Sequence, residues 1–118
     1  MIRFIIIFIP IILSAVAQIV LKAGVGSTTT TTGLTGFFIT MLTSPLVLVG
    51  LSIYGLGALL WLIVLSREDV SFAFPLVSFA YVLAIFLSAI FLKEHITPGR
   101  ILGALVIIIG IFIIARFG

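Results

Sequence analysis

Four long apolar runs, separated by short polar breaks, account for most of this chain. The first extends from Ile2 to Ala23, is interrupted by Pro10, and meets Gly24 and Gly26, residues that commonly stop a helix. Ser27 and the run Thr28 to Thr32 follow, a polar, β-branched, low-complexity stretch that reads as a flexible exposed loop. Leu34 to Leu42 is apolar but too short to span a bilayer, so it is either an interfacial segment or an early extension of the second span. Ser44-Pro45 starts that span, because proline is favoured at the first helical position after a serine cap, and the run continues to Leu65. Ser66-Arg67-Glu68-Asp69 forms a polar turn whose acids suit the positive end of the next helix. The third span covers Val70 to Leu92 with Pro75 inside it. Lys93-Glu94-His95-Ile96 turns the chain, and Thr97-Pro98 repeats the cap-plus-proline start of a fourth span that reaches Ala115, with Arg116 at the interface.

A hydrocarbon layer of about 30 Å takes roughly 20 apolar residues per helix. Four spans at about 2–23, 45–65, 70–92 and 98–115 therefore use nearly the whole chain, which reads as one domain over residues 1–118 with no extramembrane module. The expected fold class is an all-α membrane protein of four transmembrane helices. Composition agrees: 64% of the 118 residues are hydrophobic and 8% charged, with a mean hydropathy of +1.59, outside the range of soluble domains. Arg3 followed by an apolar run resembles a signal peptide. The run from Phe4 to Leu21 is too long for a signal core and ends in no small-x-small cleavage site, so a transmembrane helix is expected instead.

The net charge of +3 does not imply nucleic acid, because the six Lys and Arg are scattered singly and form no basic cluster. They read as interfacial anchors. There is no cysteine, and His95 is the single histidine, so neither a metal site nor a redox cofactor is expected. Four spans put both termini on one side, with Arg3, Arg67 and Arg116 there and Lys22, Lys93 and Arg100 opposite. That balance gives no orientation signal under the positive-inside rule, which permits dual insertion and an antiparallel dimer. Gly50, Gly55 and Gly57 on the second span, and Gly99, Gly103 and Gly110 on the fourth, favour close helix packing or dimerisation. A four-helix protomer is small to enclose a substrate path, so a homodimer, or a heterodimer with a similar small subunit, is the economical assembly.

All three carboxylates, Glu68, Asp69 and Glu94, fall in the turns, so no predicted span carries an acid. A proton-coupled cation exporter needs one, and its absence argues against that mechanism. On the first span Ser14, Gln18 and Lys22 are spaced i, i+4, i+8 and form a polar stripe. The stripe either lines a cavity, with Lys22 attracting an anionic group such as phosphate, or holds neighbouring helices while Lys22 snorkels to the headgroups. On the third span Ser71, Ser78 and Tyr81 lie near one face, and Pro75 frees a carbonyl close to them. Such a break either lines a cavity or is a packing kink. Tyr54 and Trp61, seven residues apart on one face of the second span, either stack on substrate or pack against lipid and protein.

The segments Trp61-Leu62-Ile63-Val64-Leu65 and Val70-Ser71-Phe72-Ala73-Phe74-Pro75-Leu76-Val77-Ser78 resemble the second-to-third-helix signature of small EamA-type proteins of the drug/metabolite transporter superfamily. Phe91-Leu92-Lys93-Glu94-His95-Ile96-Thr97-Pro98, leading to Gly103, is similar to the wider EamA pattern. Within that group the chain most resembles subunits proposed to flip undecaprenyl-phosphate-linked aminoarabinose, whose first helix carries the Gln-x-x-x-Lys seen here as Gln18 and Lys22. The small multidrug resistance family shares the four-helix plan, but Ser14 stands where it has an essential glutamate, and Phe74 and Val77 stand where it has tyrosine and tryptophan. Phe74 also replaces the tyrosine usual in the flippase group, and Arg67-Glu68-Asp69 replaces a neutral turn, so the resemblance leaves the head-group open.

The resemblance implies a multi-pass transporter of the prokaryotic inner membrane that moves an amphipathic, polyprenyl-phosphate-linked lipid by alternating access, without covalent chemistry. Lys22 would meet the phosphate, Gln18 and Ser14 the head-group, and Pro75 would mark the break in the third helix, with Ser78, Tyr81 and Trp61 as further contacts. The alternatives are a small-molecule or multidrug exporter of the same fold and a non-transporting subunit that scaffolds a partner.

Overall fold

A computed structural model describes residues 2–27 and 33–118. Its elements are α1 (Ile2–Ser27), α2 (Gly33–Thr43), α3 (Pro45–Arg67), α4 (Val70–Leu76), α5 (Ser78–Phe91) and α6 (Pro98–Phe117), and no strand occurs among the described residues. α4 and α5 continue as one span from Val70 to Phe91; with α1, α3 and α6 this gives four helices long and apolar enough to cross a membrane. The protein is an all-α, multi-pass membrane protein. The expected loop at Thr28 to Thr32 lies outside the described residues. The short apolar run after it forms α2, an 11-residue helix distinct from the second span that packs on α3.

Gly24 and Gly26 lie inside α1 and do not end it. The reason for Gly24 is close packing: a Cβ there would sit 2.9 Å from both the backbone nitrogen and a methyl of Val47 on α3. The same antiparallel contact continues along both helices. Gly50 takes Leu21, whose side chain would lie 2.8 Å from an added Cβ, and Gly57 faces Leu13 at 3.5 Å. As numbers fall along α1 they rise along α3, until Ile7 and Val64 meet in the core, both completely buried. Small residues let the backbones approach where the membrane supplies no hydrophobic drive between helices.

The core is concentrated toward the N-terminal half of α1. Ile7, Ile11 and Ala15 cluster there with Val64 of α3, Phe72, Ala73 and Leu76 of α4, and Ala80 of α5. Phe8 meets Phe79 edge to face at 5.3 Å, tying α1 to α5. At the same end Arg3 donates through Nε to the Glu68 carboxylate at 2.8 Å, and its guanidinium lies 3.9 Å from the centroid of the Phe72 ring. This joins the start of α1 to the turn between α3 and α4.

Pro75 has no N–H to donate to Ser71, and the helix tightens at Val77, which donates instead to the Phe74 carbonyl at 3.0 Å. Val77 keeps right-handed helical angles, φ −58° and ψ −24°, so the break is one tightened turn within a continuing span. α6 packs against α4 and α5 and buries Ala104. A Cβ added at Gly103 or Gly110 would meet nothing within 4 Å, so these glycines do not mediate the close helix contacts within the bundle.

Candidate functional site

The polar residues of α1 continue the seam that forms the core. Ile7, Ile11, Ser14, Gln18 and Lys22 follow one another at steps of four, three, four and four, which keeps them along one side of the helix. Their burial falls steadily along it: Ile7 and Ile11 are 0% and 1% exposed, Ser14 is half-buried, and Gln18 and Lys22 are exposed. The bundle is thus closed around the Arg3 end of this seam and open at the Lys22 end.

Two cavities border the seam. One, of about 350 Å³, lies between α1, α3 and the α4–α5 break and is lined by Pro10, Ser14, Tyr54, Trp61, Phe74 and Val77 among others. Gly57 belongs to the same wall, where α3 packs closely on Leu13 and Pro10 of α1. Ser52, Ser66 and Ser88 turn their hydroxyls back onto carbonyls of their own helices. Among the described residues no such bond engages Ser14, so its hydroxyl is available to whatever occupies the cavity.

The second cavity, about 300 Å³, is bounded by Ile19 and Lys22 of α1, Ala84, Ile85 and Ser88 of α5, and Leu92, Glu94, Ile96 and Arg100 of the following turn and α6. In the turn that follows α5, Lys93 has a left-handed φ of +55°; that geometry lets the Glu94 N–H reach back to the Ser88 carbonyl at 3.1 Å. Thr97 caps α6 by accepting from the Arg100 N–H at 3.3 Å, and the Arg100 guanidinium donates to the His95 carbonyl at 2.9 Å. Arg3–Glu68 is the one ion pair among the described residues, which leaves Lys22 and Arg100 without carboxylate partners in this cleft.

The residues singled out in the sequence are therefore distributed. Ser14 and Trp61 share the first cavity and Lys22 lies in the second. Gln18 lines neither but sits on the seam between them. Pro75 is flanked by two cavity residues, Phe74 and Val77. Ser78 is half-buried and Tyr81 is 61% exposed, and both lie away from the two cavities. An eight-residue step along α1 turns through about 80°, which is enough to send Ser14 and Lys22 into different crevices. Sequence reasoning missed Arg100. The available signal was its place on the same membrane side as Lys22.

Residues 1–116 match the EamA-like transporter family. The chain belongs to that family. Several relatives carry the name probable 4-amino-4-deoxy-L-arabinose-phosphoundecaprenol flippase subunit ArnE. The one from Pseudomonas savastanoi pv. phaseolicola is 39% identical over 62 residues, 52% of this chain and 54% of the relative. The one from Aeromonas hydrophila subsp. hydrophila is 36% identical over 69 residues, 58% of this chain and 60% of the relative, and the one from Yersinia pseudotuberculosis serotype O:1b is 39% identical over 61 residues, 52% and 54%. The chain thus spans just over half the length of the curated relatives it matches. No solved structure matches it. Membership of the EamA-like transporter family gives the two cavities a context: both border α1 of a multi-pass membrane protein of that family.

Proposed function

We propose that this protein is a flippase or flippase subunit of the prokaryotic inner membrane that moves a polyprenyl-phosphate-linked lipid between leaflets by alternating access. The observation that carries the reading is the seam on α1, packed and apolar at Ile7 and Ile11 and open and polar at Gln18 and Lys22. An amide and an ammonium group on the open side of an apolar membrane helix need polar partners, because leaving them unsatisfied in hydrocarbon costs several kcal/mol. A phosphorylated sugar head-group is such a partner, with Lys22 at the phosphate and Gln18 and Ser14 at the hydroxyls. The wall of Trp61, Tyr54 and Phe74 takes part of the apolar tail, and the turn at Pro75 lets α4 and α5 shift against each other. The relatives named for aminoarabinose-phosphoundecaprenol transport support the same substrate class, and their designation as subunits supports work in a dimer. No bond is made or broken in the transported molecule.

One observation favours a second reading. The aromatic cavity of about 350 Å³ is also of a size for a drug-sized apolar molecule, as in a multidrug exporter with its acid supplied by a partner subunit. Native mass spectrometry of the detergent-purified protein distinguishes the two. Retention of undecaprenyl phosphate, weakened by Lys22→Ala, is the expected result. Retention of a cationic dye with no retention of undecaprenyl phosphate, indifferent to Lys22, would put the exporter first.

A further inference from the structure

The cleft that holds Lys22 also holds Arg100, from a helix far along the chain. We propose that Lys22 and Arg100 together form one phosphate-binding site at the open end of the bundle, with Arg100 as a second, independent cation clamp. The assignment rests on the flippase reading only for the lipid that carries the phosphate.

Three features of the cleft lead to it. Among the described residues neither cation has a carboxylate partner, although the same structure pairs Arg3 with Glu68 and lays it over the Phe72 ring. Two basic groups facing one cleft of about 300 Å³, neither ion-paired with Glu94 on its border, repel each other, and a shared anion removes that repulsion. Arg100 is also held in place before any ligand arrives. Its backbone N–H is used in the Thr97 cap and its guanidinium is pinned by one bond to the His95 carbonyl, so most of its five N–H donors remain for a tetrahedral oxyanion. Lys22 supplies a flexible point charge from α1, the complement of a planar, pre-set fork from α6.

Position fits the same ligand. Lys22 lies five residues before the end of α1 and Arg100 two residues after the start of α6, so both stand near the terminus of a membrane-length helix, the part of such a helix from which long basic side chains reach lipid headgroups. Glu94 borders the cleft as well. Its carboxylate opposes an anion, and two cations against one acid leave a net positive site.

The test uses the full-length protein in detergent and measures the dissociation constants of undecaprenyl phosphate, undecaprenol and inorganic phosphate for the wild type, Lys22→Gln, Arg100→Gln, Arg100→Lys and Glu94→Gln. Each cation-removing variant is expected to weaken undecaprenyl phosphate roughly tenfold, to leave the alcohol unchanged, and to melt as the wild type does. Arg100→Lys, which keeps the charge but not the fork, should recover only part of the lost affinity, and Glu94→Gln should tighten phosphate by roughly threefold. If Arg100→Gln binds undecaprenyl phosphate as the wild type does while Lys22→Gln does not, the two-cation site is overturned and the flippase reading stands. If the wild type binds inorganic phosphate in an Arg100-dependent way but never the lipid, the site stands with free phosphate as its ligand and the flippase reading falls. No binding of either phosphate overturns both.

Discussion

α1 carries one basic residue near each end, and the two have opposite surroundings. Arg3 is ion-paired with Glu68 at 2.8 Å and covered by the Phe72 ring, beside fully packed Ile7 and Ile11. Lys22 stands in an open cleft with another cation and no acid within ion-pair reach. A charge that the fold satisfies is part of the scaffold. A charge that the fold leaves unsatisfied, next to empty volume, is where a ligand can contribute more than the protein does.

The strongest way to break this contrast is to disturb the backbone contact that holds α1 in place regardless of its ends. Gly50→Leu puts a branched side chain where even a Cβ would approach the Leu21 side chain to 2.8 Å and its backbone nitrogen to 3.1 Å, and it is expected to cost about 3 kcal/mol in a detergent unfolding titration. Gly103→Leu, facing open space within the protomer, should leave the protomer's stability unchanged in the same titration. A Gly50 variant as stable as wild type would mean that the α1–α3 contact is looser than described.

The next experiment exchanges the two cations. Arg3→Gln should lower stability by about 1 kcal/mol, a modest figure because the Arg3 side chain is 47% exposed and such pairs and ring contacts are screened. Lys22→Gln should leave stability within about 0.5 kcal/mol of the wild type while weakening phosphate binding. Equal melting temperatures for the two variants would erase the distinction between scaffold and site. Thr97→Ala removes the cap that holds Arg100 and should cost about 1 kcal/mol, with a parallel loss of undecaprenyl phosphate affinity. The smallest effect is a gain. Lys93 occupies a left-handed conformation at φ +55° that glycine adopts without strain, so Lys93→Gly should stabilise the protein by about 0.5 kcal/mol or more, read from the same titration.

The four spans were legible because a bilayer enforces a minimum apolar length, and hydropathy records length directly. The proline starts at Pro45 and Pro98 were legible for a local reason, a backbone nitrogen that needs no partner there. Gly24 misled because the same residue that stops one helix lets another come close, and only the position of Val47 decides which. The stripe of Ser14, Gln18 and Lys22 was visible as a periodicity, but its division between two crevices depends on where α3 and α5 stand, which no local pattern encodes. The meeting of Lys22 with Arg100 was hidden for the same reason: it joins helices at opposite ends of the chain, and only the membrane side they share hinted at it. The left-handed Lys93 carried no signal, since lysine has no preference for that region.

On the flippase reading proposed above, the asymmetry of α1 has a consequence for vectorial transport. A helix bundle sealed at one end and charged and open at the other has a front and a back, and membrane insertion decides which compartment each addresses. With three basic residues on either side of its four spans, the chain gives the insertion machinery no charge difference to act upon. Copies inserted both ways would present their open clefts to both leaflets at once. In such a population the direction of net movement would follow the leaflet in which the lipid is made and the one in which it is consumed, as for any carrier that works equally well in forward and reverse gear.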